Sequence, residues 1–137
     1  MAPVYIEVFV APLADSQTAQ VALAAMLLLI VLDVLFGLAN ACISGTFRSG
    51  KMREGVQHKL AELGYALAAL VIDGTIVGGL DLGFPAPVLV GTCGYICLME
   101  LGSLMEIFNR MNPELGRSKL FRILDDAKGD ATHELRD

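Results

Sequence analysis

At 137 residues the chain holds one domain of ordinary size at most. Its residues are 55% hydrophobic and 18% charged, where soluble domains run at about 45–50% and about 25%, so the balance points away from an ordinary soluble domain and into a membrane. A formal charge of -5, with no basic patch interleaved with aromatics, argues against nucleic acid as a partner.

The opening segment, residues 1–18, carries Glu7 and Asp15 and no basic residue, so it lacks the positive start of a cleavable signal peptide. Its apolar run from Val4 to Leu13 is interrupted by Pro12 and is too short to span, which leaves an interfacial or a disordered segment. From Ala19 to Ile43 the sequence supplies the length of a bilayer-crossing helix with Asp33 as its one charged residue. Asp33, Gly37, Asn40, Ala41 and Ser44 share one helical face, and Leu28, Val31, Leu35, Leu38 and Cys42 the other. The second face suits lipid, and the first suits a partner helix or water. Gly37, Ala41 and Gly45 also form a small-xxx-small ladder along which helix backbones approach closely.

A polar loop follows, residues 44–59, holding Arg48, Lys51, Arg53 and Lys59. The second span is expected over about 60–80, where Glu62, Ala66, Ala69 and Asp73 fall on one face and Gly74 and Gly78 make a GxxxG pair on a neighbouring one. A turn from Asp81 to Pro87 separates it from a third span over about 88–108, in which Glu100, Ser103 and Glu106 occupy an arc of roughly 120°. Residues 109–137 are polar. Asn112, Pro113 and Glu114 read as the N-cap and first turn of a last helix, whose Leu115, Leu120, Phe121, Ile123 and Leu124, mixed with Arg117, Lys119 and Arg122, suit a membrane surface. The stretch from Asp125 onward is expected to fray. The expected fold is therefore an all-α integral membrane protein with three transmembrane helices, residues 19–108, and a C-terminal amphipathic helix.

All ten basic residues fall in the first loop and the tail. The positive-inside rule then places both in the cytoplasm and the N-terminus outside a bacterial inner membrane. No Lys, Arg or His lies within the spans so drawn. Their acids, Asp33, Glu62, Asp73, Glu100 and Glu106, are thus expected to be protonated, hydrogen-bonded to neighbouring polar groups, or exposed to water in an oligomer. Packing as interhelical glue and lining a lumen both remain open on this pattern. A lumen requires a homo-oligomer, because one three-helix protomer is too thin to enclose a wide aqueous path.

Cys42, Cys93 and Cys97 fall in the spans and read as small packing residues. His58 and His133 read as solvated residues. No Walker loop, GxSxG, HExxH or Cys/His ligand cluster is present, so no cofactor, metal or enzyme activity is expected.

Three places resemble the phage lysis and toxin-secretion holins of the three-span type. LDVLFGLANA is similar to that family's Asp-x-x-x-Gly pattern through Asp33 and Gly37. The loop GTFRSGKMREGVQHKL resembles its Ser, Gly and Lys signature through Ser49, Gly55 and Lys59. MELGSLMEIFNRMNP resembles its Glu-x-x-Ser-x-x-Glu-Asn segment through Glu100, Ser103 and Glu106, with Ile107 where the family has Asn. The resemblance runs over about Leu27 to Leu120. It implies an inner-membrane protein that accumulates, oligomerises in lipid and opens a lesion releasing a murein hydrolase or a toxin, and it leaves room for a separate antiholin. The rival reading is a non-lytic membrane subunit or small ion channel whose acids serve packing or proton relay.

Overall fold

A computed structural model describes residues 4–80, 88–117 and 119–133. It contains α1 (Val4–Ala14), α2 (Gln17–Ile43), α3 (Ser49–Thr75) continued by a π-helical turn (Ile76–Leu80), α4 (Val88–Met111), a 3-10 turn (Leu115–Arg117) and α5 (Lys119–His133). No strand occurs among the described residues. Among the described residues, three helices are long and apolar enough to cross a membrane: Gln17–Ile43, Ser49–Gly78 and Val88–Met111. The protein is thus an all-α membrane protein with three such helices and a further helix after them.

The first corner shows how side chains satisfy helix ends. Ser16 caps α2 by accepting from the Ala19 N–H at 3.2 Å, which meets one of the donors every helix start leaves open. The Gln20 amide donates to the Leu13 and Ala14 carbonyls at 3.1 and 2.9 Å and so closes the end of α1. At the far end of α2, Gly45 sits at φ +64°. The Thr46 N–H donates to the Ala41 carbonyl and the Gly45 N–H to that of Cys42, the paired bonds of a Schellman ending. Gly45 therefore terminates the helix rather than extending the small-residue ladder, and nothing lies within 4 Å of where its Cβ would be.

α4 is the hub. α2 packs along it most extensively and α3 packs on it as well. The core joins Ala19, Met26 and Ile30 of α2, Ala66 and Ala69 of α3, and Leu89, Cys93 and Ile96 of α4. Gly37 faces α4, where a Cβ would meet Ile107 at an ordinary 3.8 Å, and Phe36 meets Phe108 edge-on with ring centroids 4.9 Å apart. The outward face of α2, with Leu28, Val31, Leu35 and Leu38, is exposed, as its period implied.

Three segments differ from expectation. The opening segment is not disordered over Val4–Ala14: α1 is a helix that packs on α3 and its π-helical turn. α3 begins at Ser49, about eleven residues ahead of the expected span, because the stripe Met52, Val56, Leu60, Leu63 and Leu67 keeps an exposed apolar face running through the basic stretch. What reads as a basic loop is the first part of a helix. Finally, Asn112 does cap a backbone donor, accepting from the Glu114 N–H at 3.2 Å, but it opens the 3-10 turn and not α5. α5 then runs to His133, through residues expected to fray. The turn expected from Asp81 to Pro87 lies outside the described residues.

Asp73 ties α3 to α4. Its carboxylate is buried and accepts from the Val88 N–H at 3.0 Å and the Leu89 N–H at 2.9 Å, so an acid on one helix caps the start of the next. Asp73→Ala leaves one buried and one part-buried N–H group without an acceptor, and an unsatisfied buried donor costs about 1–3 kcal/mol. The expected loss of stability is about 2–3 kcal/mol, with a smaller loss for Asp73→Asn. Denaturation in mixed detergent micelles measures both, and a loss within about 0.5 kcal/mol for Asp73→Ala would remove the cap from the account of the α3–α4 hairpin.

Candidate functional site

Lys59 lies on α3 one turn before Glu62, so the face Glu62, Ala66, Ala69 and Asp73 begins a turn earlier than the hydropathy run suggests. Its side chain points into the bundle. The ammonium bonds to both oxygens of Glu100 on α4, lies 3.0 Å from Asp33 Oδ2 on α2 and 3.6 Å from Glu62 Oε2 on α3. Three helices thus meet on one cation. The Glu100 side chain is 2% exposed, against 13% for Asp33 and 22% for Glu62.

This corrects the expectation that the acids have no cationic partner. Asp33, Glu62 and Glu100 share one, and it comes from the residue assigned to the basic loop, whereas Asp73 is hydrogen-bonded, one of the expected alternatives. The sequence carried a usable signal: Lys59 extends the inward face by the i, i+3 step that Lys59 and Glu62 make. The apolar run beginning at Leu60 concealed it.

The balance in the cluster is uneven. Three carboxylates surround one ammonium, and an ammonium has three protons to donate. Glu100 and Asp33 take hydrogen bonds or close contact, whereas Asp33 Oδ1 and Glu62 Oε2 are buried without a hydrogen-bond partner. At 3.6 Å the Glu62 oxygen feels the ammonium's charge without bonding to it. On α4, Ile96 lies one turn before Glu100 and Leu104 one turn after it, and both are buried. The cluster is therefore a polar layer between apolar ones.

The other candidates are placed elsewhere. Asp73 is at the opposite end of α3, holding α4. Glu106 is turned outward, 63% exposed and 3.8 Å from Arg110. Ser103, Asn40 and Ala41 are half-buried, and Gly37 packs toward Ile107. Arg48, Lys51 and Arg53 are exposed at the start of α3. No group of three or more His, Cys, Asp or Glu side chains among the described residues is placed to hold a metal ion.

Three spanning helices closed by an ion-paired polar layer define a polytopic helical membrane protein with a charged centre. A family model described as the bacteriophage holin family matches residues 16–126, from the cap of α2 to the middle of α5, and the chain belongs to that family. No curated protein and no solved structure matches it.

The cluster has a measurable consequence. Removing one partner of a buried ion pair leaves the other charge uncompensated, which costs about 3–5 kcal/mol. Lys59→Met is expected to destabilise the bundle by that order in detergent unfolding, and adding Glu100→Gln is expected to recover part of it. Arg110→Met, at an exposed pair, is expected to change stability by no more than about 0.5 kcal/mol. Equal effects of Lys59→Met and Arg110→Met would show that the cluster is not what joins the helices.

Proposed function

We propose that this phage-type holin oligomerises in the bacterial inner membrane and opens a pore or lesion through which a murein hydrolase or a toxin leaves the cell. The observation that carries the reading is the convergence of Asp33, Glu62 and Glu100 on Lys59 from all three spanning helices. Charged groups at the centre of a membrane bundle are costly and mark pathways for water, ions or substrates. One protomer offers no wide passage, so the path forms between copies. In the closed protomer the cluster clasps α2, α3 and α4. In the assembly the same faces turn toward water, which hydrates the carboxylates and the ammonium together.

Orientation follows from the cations. Arg48, Lys51 and Arg53 open α3, and Arg110, Arg117, Lys119 and Arg122 lie at the end of α4 and beyond, while α1 carries no basic residue. The positive-inside rule places the α5 end in the cytoplasm and α1 outside. α5 then lies along the inner lipid surface on Ile123 and Leu124.

A second reading is favoured by one observation. Because the acids already have Lys59 inside the protomer, they serve equally as permanent glue in a non-lytic membrane subunit or small ion channel. Inducible expression in bacteria separates the two, with membrane potential, optical density and leakage of a folded cytoplasmic reporter of about 25–30 kDa recorded together. An abrupt loss of potential with reporter release is expected. Depolarisation alone indicates a small pore, and growth with potential intact indicates the structural subunit. Asp33→Leu, at equal membrane levels, is expected to delay or abolish release, and undiminished killing by that variant would count against a role for the acid faces in opening.

A further inference from the structure

The start of α3 is longer and more basic than a spanning helix needs. From Ser49 to Gly78 the helix runs 30 residues, about 45 Å at 1.5 Å per residue, against about 30 Å of hydrocarbon. With the helix centred in the bilayer, one boundary falls near Arg53 and the other near Asp73. Lys51 and Arg48 then lie just beyond the first boundary, at the depth of the lipid phosphates. Residues 44–58 hold Arg48, Lys51 and Arg53 against a single acid, Glu54, in a chain whose formal charge is -5. All three cations are exposed, and among the described residues no carboxylate lies within ion-pair reach of any of them.

The cations are not spread evenly around the helix. Met52, Val56, Leu60 and Leu63 are exposed and share one side, forming an apolar stripe that runs from the headgroup level into the hydrocarbon. Arg48 lies one turn before Met52, whose N–H donates to its carbonyl at 3.2 Å. Arg53 follows Met52 directly and stands about 60° from the middle of the stripe, whereas Glu54 and His58 stand about 160° from it and Lys51 about 140°. Two arginines therefore attend the polar end of the stripe, and the acid is on the far side. A phospholipid lying along α3 presents the same order of groups, phosphate first and acyl chain after it.

We propose that this side of α3 binds an anionic phospholipid of the phosphatidylglycerol class, its phosphate held by Arg48 and Arg53 and an acyl chain laid along Val56, Leu60 and Leu63. Charge complementarity selects the occupant. A guanidinium bonds two phosphate oxygens at once, and an anionic headgroup brings no cation of its own to offset the arginines, as a zwitterionic one does. A lipid held there sets the depth of the start of α3, and with it that of Lys59, about 9 Å beyond Arg53 along the helix. The site needs only that α3 crosses the bilayer and is independent of pore opening.

The chain has no tryptophan, so Leu60→Trp, with Val56→Trp as a second position, is a single fluorescent reporter on the stripe. The whole chain is placed in mixed vesicles of phosphatidylcholine and phosphatidylglycerol at one fixed proportion, with bromine on the acyl chains of one lipid or the other. Quenching then gives the share of each lipid beside the reporter. Brominated phosphatidylglycerol is expected to quench well beyond its share of the bilayer. Leu28→Trp, on the exposed face of α2, which carries no cation, is expected to report the bulk proportion. Arg53→Gln is expected to lower the preference about fivefold, the effect of one cation at an anionic surface, and Arg48→Gln with Arg53→Gln to remove it. Lys51→Gln takes the same charge from another side and is expected to leave most of the preference in place. Circular dichroism checks that each variant keeps its helix content. The proposal is overturned if the two lipids quench both stripe reporters in proportion to their abundance, or if Lys51→Gln weakens the preference as much as Arg53→Gln does. It is also overturned if inorganic phosphate at matched ionic strength displaces the lipid, which would mark a site for free phosphate. The holin reading is judged separately, by release of the reporter on induced expression.

Discussion

The ammonium of Lys59 is the group on which the arrangement of the three spanning helices depends. A carboxylate in an apolar bundle is tolerated when a cation and hydrogen bonds compensate it. Asp33, Glu62 and Glu100 each need that compensation, and Lys59 alone supplies it among the residues packed around them. The requirement sets how α3 is placed. The helix must start early enough to bring Lys59 into the bundle, which it does at Ser49, and it must turn the Lys59 to Asp73 face toward α4. α4 is then fixed at two depths, by Glu100 in the middle and by Asp73 at its beginning.

Much of this was legible in the sequence, and the part that was not has a specific cause. Side-chain period alone separated the lipid-suited face of α2 from the face bearing Asp33 and Gly37, and it grouped Glu62, Ala66, Ala69 and Asp73; both divisions agree with burial. Period reports which residues share a face but not what that face meets. Glu106 was grouped with Glu100 and Ser103, yet an arc of roughly 120° is wide enough for one end to be buried and the other exposed. Lys59 was lost because a hydropathy run cuts a helix at its last charge, whereas a lysine with a long apolar stem reaches inward from a position that looks polar. The GxxxG pair was legible as a close-approach site. That its occupant is α1 follows only from the fold, since a glycine pair specifies the distance of approach and not the identity of the neighbour.

The helix ends carry a second constraint. Each end leaves backbone groups open that caps or water must satisfy. Gln20 closes α1, Ser16 opens α2, the Gly45 ending closes it, and Asp73 opens α4. Side chains from neighbouring elements do much of this, so the caps also act as joints: Gln20 links α1 to α2, and Asp73 links α3 to α4. A device that closes a helix and a device that orients the next one are here the same residue. That economy leaves α1 attached firmly at one corner and only by surface contact along its length.

The imbalance at Lys59 gives the proposed assembly a physical direction. Asp33 Oδ1 and Glu62 Oε2 accept no hydrogen bond in the closed protomer, and an unsatisfied buried acceptor costs about 1–3 kcal/mol. Water satisfies such oxygens at once, but lipid never does. A dilute protomer, surrounded by lipid, gains nothing by opening, because separating α2 from α3 would expose all three acids and the lysine to hydrocarbon. Under the proposed assembly, the same separation between packed copies would expose them to a shared aqueous space, where these two oxygens would gain hydrogen bonds. In the proposed assembly the cluster would thus favour the closed bundle in isolation and lose that preference once copies share an aqueous space.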